Sequence, residues 1–211
     1  MGRIFGSGKF WRYGPLGPML SVINFAYMGL WAGPWLRDVA GFDGETRALT
    51  LLGYTLAALV GSLLIGQATS RAVGAGRSGF FVPLICMGFV IAGQAGLALQ
   101  PAAGSTSGAV VGLWLMVAFF GASGTAAYIA VNQLFPPEQT GRVSTASNTL
   151  TLGAAFLLQS AIGWILDLFP RGASGGWSPE GYSWALGLSM ALQVAATANM
   201  LVWRLPGASK T

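Results

Sequence analysis

Asn24, Tyr27 and Trp31 stand three and four residues apart, as do Gly121, Thr125, Tyr128 and Asn132, and again Asn148, Thr151, Ala155 and Gln159. Each set therefore falls on one face of a helix. These are uncharged hydrogen-bonding and aromatic side chains. They can hold a small solute by hydrogen bonds and ring contacts, or they can tie helices together at about 0.6 kcal/mol per bond. Other chemistries are missing. The chain has no His and one Cys, Cys86, within an apolar stretch. His-based acid–base catalysis, His metal ligation, zinc clusters and intrachain disulfides are thereby excluded. Ser123 and Ser160 have no base that the sequence reveals, so an enzyme is not expected, and neither is a cofactor or a metal.

Few ionisable groups remain. Asp167 is the only formal charge within the apolar runs, near the end of the fifth. Glu138 and Arg142 lie four apart in a short connector headed by Pro136 and Pro137. One reading is a capped turn with an exposed ion pair worth a few tenths of a kcal/mol. The other is a cytoplasmic gate, in which Arg142 and Arg71 meet the carbonyls at helix C-termini when that side is closed.

The elements that must position these residues follow from composition. Of 211 residues, 54% are hydrophobic and 8% charged, where a soluble domain carries about a quarter charged residues. The chain therefore needs lipid as its solvent. The basic residues are scattered singly rather than clustered, so no nucleic-acid partner is expected. Six apolar runs are long enough to cross a bilayer: Pro18 to Leu36, Ala48 to Ala68, Gly79 to Leu99, Ala109 to Phe135, Ser144 to Phe169 and Tyr182 to Trp203. Gly, Pro, Ser and charged residues fill the connectors. The expected organisation is a cytoplasmic N-terminal segment over 1–17, one transmembrane domain over 18–203 and a cytoplasmic tail over 204–211. Arg3, Lys9 and Arg12 precede the first run like a signal peptide's basic region, but that run is too long, so it is read as a retained helix.

Orientation follows from Lys and Arg, which collect in short cytoplasmic loops. Eight of the 11 fall on the side of both termini: Arg3, Lys9, Arg12, Arg71, Arg77, Arg142, Arg204 and Lys210. The termini are predicted to be cytoplasmic. The 32 glycines matter for association, since helices in lipid pack where small residues let backbones approach. Small residues recur every fourth position at Gly29 and Gly33, at Gly53, Ala57 and Gly61, at Gly121 and Thr125, and at Gly187, Ala191 and Ala195.

Several segments resemble the C-terminal six-helix half of a major facilitator superfamily transporter. Phe10-Trp11-Arg12-Tyr13 resembles the entry to that family's seventh helix, and Gly29-Leu30-Trp31-Ala32-Gly33-Pro34-Trp35-Leu36 its exit. Gly66 to Arg71, leading to Gly76-Arg77, is similar to the family's Gly-x-x-x-Asp-Arg-x-Gly-Arg loop, with Ser70 in place of the Asp. Phe135 to Arg142 resembles the connector between the tenth and eleventh helices, and Gly163 to Asp167 the outer end of the eleventh. The resemblance implies an all-α membrane fold, a six-transmembrane-helix bundle of two inverted three-helix repeats in the bacterial inner membrane. It implies transport of a small solute by alternating access, with the first and fourth helices lining a central cavity and the second and fifth beside them. The cavity candidates are then Asn24, Tyr27, Trp31, Thr125, Tyr128, Asn132, Asn148, Thr151 and Gln159. A full member has twelve helices, so the expected partner is a second six-helix half, either a missing N-terminal half or a second copy. The alternative is a stand-alone six-helix protein acting as a homodimeric transporter or scaffold.

Overall fold

Leu49, Leu52, Leu56, Leu59 and Leu63 on one long helix are each more than half exposed, an arrangement that water would penalise and hydrocarbon accepts. In the computed structural model, which describes residues 2–103, 107–172 and 175–202, this apolar exterior surrounds an all-helical bundle. Trp203 and the expected tail, with Arg204 and Lys210, lie outside the described residues.

Two short helices, α1 (Gly2–Phe5) and α2 (Gly8–Tyr13), lead into α3 (Leu16–Ala26), a π-turn at Tyr27–Trp31 and α4 (Ala32–Asp38). The long elements follow: α5 (Gly44–Gly74), α6 (Phe81–Ala103), α7 (Ser107–Gly121), α8 (Gly124–Gln133), α9 (Thr140–Asp167) and α10 (Pro179–Val202). A 3₁₀ turn at Pro137–Gln139 precedes α9. Among the described residues, five segments are long and apolar enough to cross a membrane: Gly44–Gly74, Phe81–Leu99, Ser107–Gln133, Pro137–Asp167 and Pro179–Val202. The first expected run is helical from Leu16 to Asp38, but the π-turn divides it into pieces shorter than one crossing. The fourth is interrupted by a turn at Ala122 and Ser123, between α7 and α8.

Local chemistry sets the ends. Asp43 caps α5, accepting a 2.8 Å hydrogen bond from the Thr46 amide. At the other end of α5, Gly76 takes φ +78°. Its amide donates to Val73 O and the Arg77 amide to Ala72 O, both at 2.9 Å, which closes a Schellman motif. Pro179 opens α10, where its missing N–H costs nothing.

Glycines decide the crossings. A Cβ on Gly61 would overlap the Phe119 backbone, so α5 and α7 touch main chain to main chain there. A Cβ on Gly124 would overlap Ser21 and come within 2.9 Å of Gly17 O, which does the same for α3 and α8. Gly121 receives the Asn24 side chain, at 3.0 Å from where its Cβ would be. The expected groove at Gly187, Ala191 and Ala195 is not a packing surface: no neighbour lies within 4 Å of a Cβ on Gly187, and both alanines are exposed. α10 instead buries Ala185, Ser189, Gln193, Ala196 and Met200, a face set by the Gln193 amide, which bonds inward to Met19 O at 3.1 Å. Gln94 donates to Gln193 Oε1 at 2.6 Å and so ties α6 to α10.

Trp114 sits at the bundle centre, with ring centroids of Tyr27 and Trp35 at 5.5 Å and of Tyr54 at 6.0 Å. The bundle's two ends differ in charge. The end carrying α1 and α2 holds Arg3, Lys9, Arg12, Arg71, Arg77 and Arg142 with one acid, Glu138. The far end holds Arg37, Arg47 and Arg171 with five acids, Asp38, Asp43, Glu45, Asp167 and Glu180.

Candidate functional site

Because Gly17 and Gly124 let α3 and α8 close on each other, α9 is left to form the third wall of a concavity of about 160 Å³. Thr125 and Tyr128 enter it from α8, Asn148 and Thr151 from α9 and Ser21 from α3, with the Phe25 ring at its edge. Four of the nine expected cavity residues thus converge. Tyr128 Oη donates to Ser144 O at 2.9 Å, and Thr151 Oγ1 to Ser147 O at 2.9 Å. Both hydroxyl oxygens can still accept a hydrogen bond. Thr125 and Asn148 are exposed. The lining carries no formal charge, so it suits hydrogen bonding to a neutral group against an aromatic edge.

The other five lie elsewhere. Asn24 accepts from Tyr54 Oη at 2.6 Å and joins α3 to α5. Tyr27 is fully buried against Trp114. Trp31 turns toward α9, donating through Nε1 to Gln159 O at 3.1 Å, and its ring meets Trp177 edge-on at 5.4 Å. The π-turn is the reason Trp31 does not share the face of Asn24 and Tyr27, which both look toward α5 and α7: its extra residue breaks the helical phase between Tyr27 and Trp31. Gln159 answers by donating through Nε2 to Phe25 O at 3.0 Å, just before that turn. Asn132 accepts from Ser144 Oγ at 3.0 Å and donates to Tyr128 O at 3.1 Å, which fastens the end of α8 to α9.

At the basic end, Arg71, Glu138 and Arg142 are exposed, and Glu138 and Arg142 form no ion pair among the described residues. The carbonyl contacts expected of Arg71 and Arg142 are made by the N-terminal helices. Lys9 Nζ donates to Leu134 O, at the C-terminus of α8, at 2.6 Å. Arg12 Nε donates to Met200 O, in the last turn of α10, at 3.1 Å, and Asn199 Nδ2 returns a bond to Trp11 O at 2.8 Å. Phe10 is buried beneath this strap and Tyr13 stacks on Phe80 at 5.1 Å. A cation at a helix C-terminus is worth roughly 0.3–1 kcal/mol. Replacing both Lys9 and Arg12 by Met should speed amide hydrogen exchange of α1 and α2 about tenfold while leaving α7 unchanged. Unaltered strap exchange would show the two bonds to be idle.

The far end was not anticipated as a site. Asp38, with its side chain 2% exposed, accepts from Arg37 Nε at 2.6 Å and, through Oδ2, from the Trp177 amide and Tyr182 Oη, each at 3.0 Å. Burial pushes its pKa up, but the hydrogen bonds from Arg37, Trp177 and Tyr182 and the Arg37 charge together hold it below the ordinary carboxylate value. Asp167 and Arg171 pair at 3.1 Å beside it, with the guanidinium 4.4 Å from the Trp177 ring centre. Adjacent Arg37-Asp38 was visible in the sequence; the partners 139 and 144 residues away were not.

No protein-family model, curated protein or solved structure matches the chain.

Proposed function

We propose that this chain is one six-helix half of a secondary transporter of the major facilitator type, which moves a small solute by alternating access against a second six-helix unit. The observation that carries the reading is the convergence of Thr125, Tyr128, Asn148, Thr151 and Ser21 on one uncharged concavity in an otherwise apolar-surfaced bundle. A half-site of neutral donors and acceptors needs a facing half to enclose a solute.

Leu16 to Leu36 serves as the sixth crossing in this reading, with Asp38 just beyond it, since 21 helical residues reach about 32 Å at 1.5 Å each, against about 30 Å of hydrocarbon. Six crossings return the chain to the basic end, which the positive-inside rule assigns to the cytoplasm. The membrane is then a bacterial inner membrane and the six helices form two inverted triplets. The strap contacts of Lys9 and Arg12 join the cytoplasmic ends of α8 and α10, elements that rocking of the two halves would separate or bring together.

The test is uptake of a panel of small uncharged solutes by proteoliposomes. The isolated monomer should carry no coupled flux; concentrative uptake by it would refute the half-transporter reading. In an assembly that does transport, Tyr128→Ala together with Asn148→Ala should lower uptake about tenfold, the equivalent of about 1.4 kcal/mol of lost solute contact. Unchanged kinetics would remove the concavity from the solute path.

A further inference from the structure

A second hollow, of about 380 Å³, runs between α5 and α8, which both travel toward the basic end. Its volume falls in the range of about 300–1,000 Å³ that holds small ligands. Ser62 and Thr125 line its deep end, Ser70 and Gln133 its mouth. On each helix the two positions are eight residues apart, about 12 Å at 1.5 Å per residue. The walls between them are apolar, with Ile65 from α5 and Ala126 and Ile129 from α8. Among the described residues no charged side chain lines the hollow, and the Thr69 hydroxyl in its wall is shielded.

The polar ends have bonding capacity left over. Thr125 Oγ1, Ser70 Oγ and the Gln133 carboxamide make no hydrogen bond among the described residues. Ser62 Oγ donates to Leu59 O at 2.7 Å, and its oxygen can still accept. Ser62 and Thr125 are exposed on the bundle well inside their spans. A polar side chain at such depth costs free energy unless something meets it. Others in the spans are met from within the fold, as Gln94 is by Gln193 and Ser183 by Ala98 O.

The wall chemistry selects the occupant. A hydrocarbon chain would match the middle of the hollow and leave both ends without partners. A charged group would find no counter-ion in the wall. What fits is neutral, polar at each end and apolar between.

We propose that the α5–α8 hollow binds an uncharged, elongated molecule that carries hydrogen-bonding groups at the two ends of an apolar chain, about 12 Å apart. One end meets Thr125 and Ser62, the chain lies along Ile65 and Ile129, and the other end meets Gln133 and Ser70. The proposal needs only the membrane setting and stands apart from the transporter reading. The apolar depression between α9 and α10 at the far end, walled by Phe169, Trp184 and Leu188, has no polar terminus and serves as the comparison.

The probe is octane-1,8-diol bearing a diazirine in mid-chain, photolysed with the full chain in phosphatidylcholine nanodiscs and mapped by peptide mass spectrometry. Labels should concentrate on the Ile65 and Ala126–Ala130 peptides. Unlabelled octane-1,8-diol should displace them at about one-fifth the concentration needed of octan-1-ol, which lacks one polar end, or of dodecane-1,12-diol, which is too long to place both. Partition into lipid runs the other way, since both rivals are the more apolar, so unspecific uptake gives the reverse order. Thr125→Val and Gln133→Leu should each lower labelling about fivefold and erase the preference for the diol over octan-1-ol, with labelling beside Trp184 unchanged. Ile129→Trp, at a half-exposed position, fills the hollow from α8 and should abolish labelling. Gly66→Leu fills it from α5, where an added Cβ meets nothing within 4 Å, and should do the same. Octan-1-ol or dodecane-1,12-diol displacing the probe as well as octane-1,8-diol, labels spread evenly around the bundle, or a hollow left unlabelled because a second copy covers it would each overturn the proposal.

Discussion

Gly61→Ala unfolds this bundle more readily than any comparable glycine replacement, at a cost of about 3 kcal/mol. The added methyl would occupy the position of the Phe119 backbone, and a main chain has no rotamer by which to move away. Relief requires prising α5 from α7 along their whole contact, because the helices are close elsewhere too: a Cβ on Gly53 would come within 3.3 Å of the Leu115 side chain. Gly124→Ala should behave alike, somewhat less severely, since the Ser21 hydroxyl there can turn. Gly187→Ala is the control: it meets nothing within 4 Å and exchanges Gly for the better helix former, so its stability should hold or rise by up to about 1 kcal/mol. Unfolding in mixed detergent micelles, followed by tryptophan fluorescence, measures all three. Equal stabilities for the Gly61 and Gly187 variants would mean that the main-chain contact is not what holds the two helices.

Asp38→Asn should cost about 3 kcal/mol, because Arg37 Nε donates to one carboxylate oxygen while the Trp177 amide and Tyr182 Oη converge on the other, so both oxygens must accept. A carboxamide keeps one acceptor and turns an NH₂ toward the remaining donors. The pH dependence follows from the direction of the shift. Asp38 titrates below its unfolded value of about 3.9, so its stabilisation is fully present above that pH and is lost as pH falls through the lower folded value. Thermal stability in detergent should therefore be flat from neutrality to about pH 5 and decline below about pH 4. In the Asp38→Asn chain, stability should be lower throughout and the acid decline shallower. Asp43, held down chiefly by the Thr46 amide, titrates in the same window. Both chains should therefore carry Asp43→Asn, which preserves the helix cap. Parallel declines with and without the Asp38 carboxylate would show that the network does not contribute.

The sequence made the membrane setting legible because hydrocarbon imposes a length and a composition on each crossing, and Ala48 to Ala68 or Gly79 to Leu99 satisfy both. Half of the polar concavity was legible too: Tyr128 with Thr125, and Thr151 with Asn148, each share a helix, and helical spacing alone puts such pairs on one face. The π-turn was not. Nothing in Tyr-Met-Gly-Leu-Trp distinguishes a five-residue turn from an α-helix, and the phase error it introduces sends Asn24 and Trp31 to different neighbours. Small-residue spacing identified Gly61 and Gly121 but also Gly187, because spacing says that a backbone can be approached and not whether another helix is there. The strap was hidden for a related reason: Lys9 and Arg12 read as topology charges, and only the fold brings Leu134 O and Met200 O beneath them.

The Asp38 network also bears on how the chain is threaded into the bilayer. Asp38 ends the first long helical stretch, at the close of α4, and Trp177 and Tyr182 stand just before and within the first turn of α10, so they can complete the network only after everything between α4 and α10 has been inserted. It works as a closing clasp. A bundle assembled in order would leave that carboxylate uncovered at the far end, bound only to Arg37 beside it, until the final hairpin arrives.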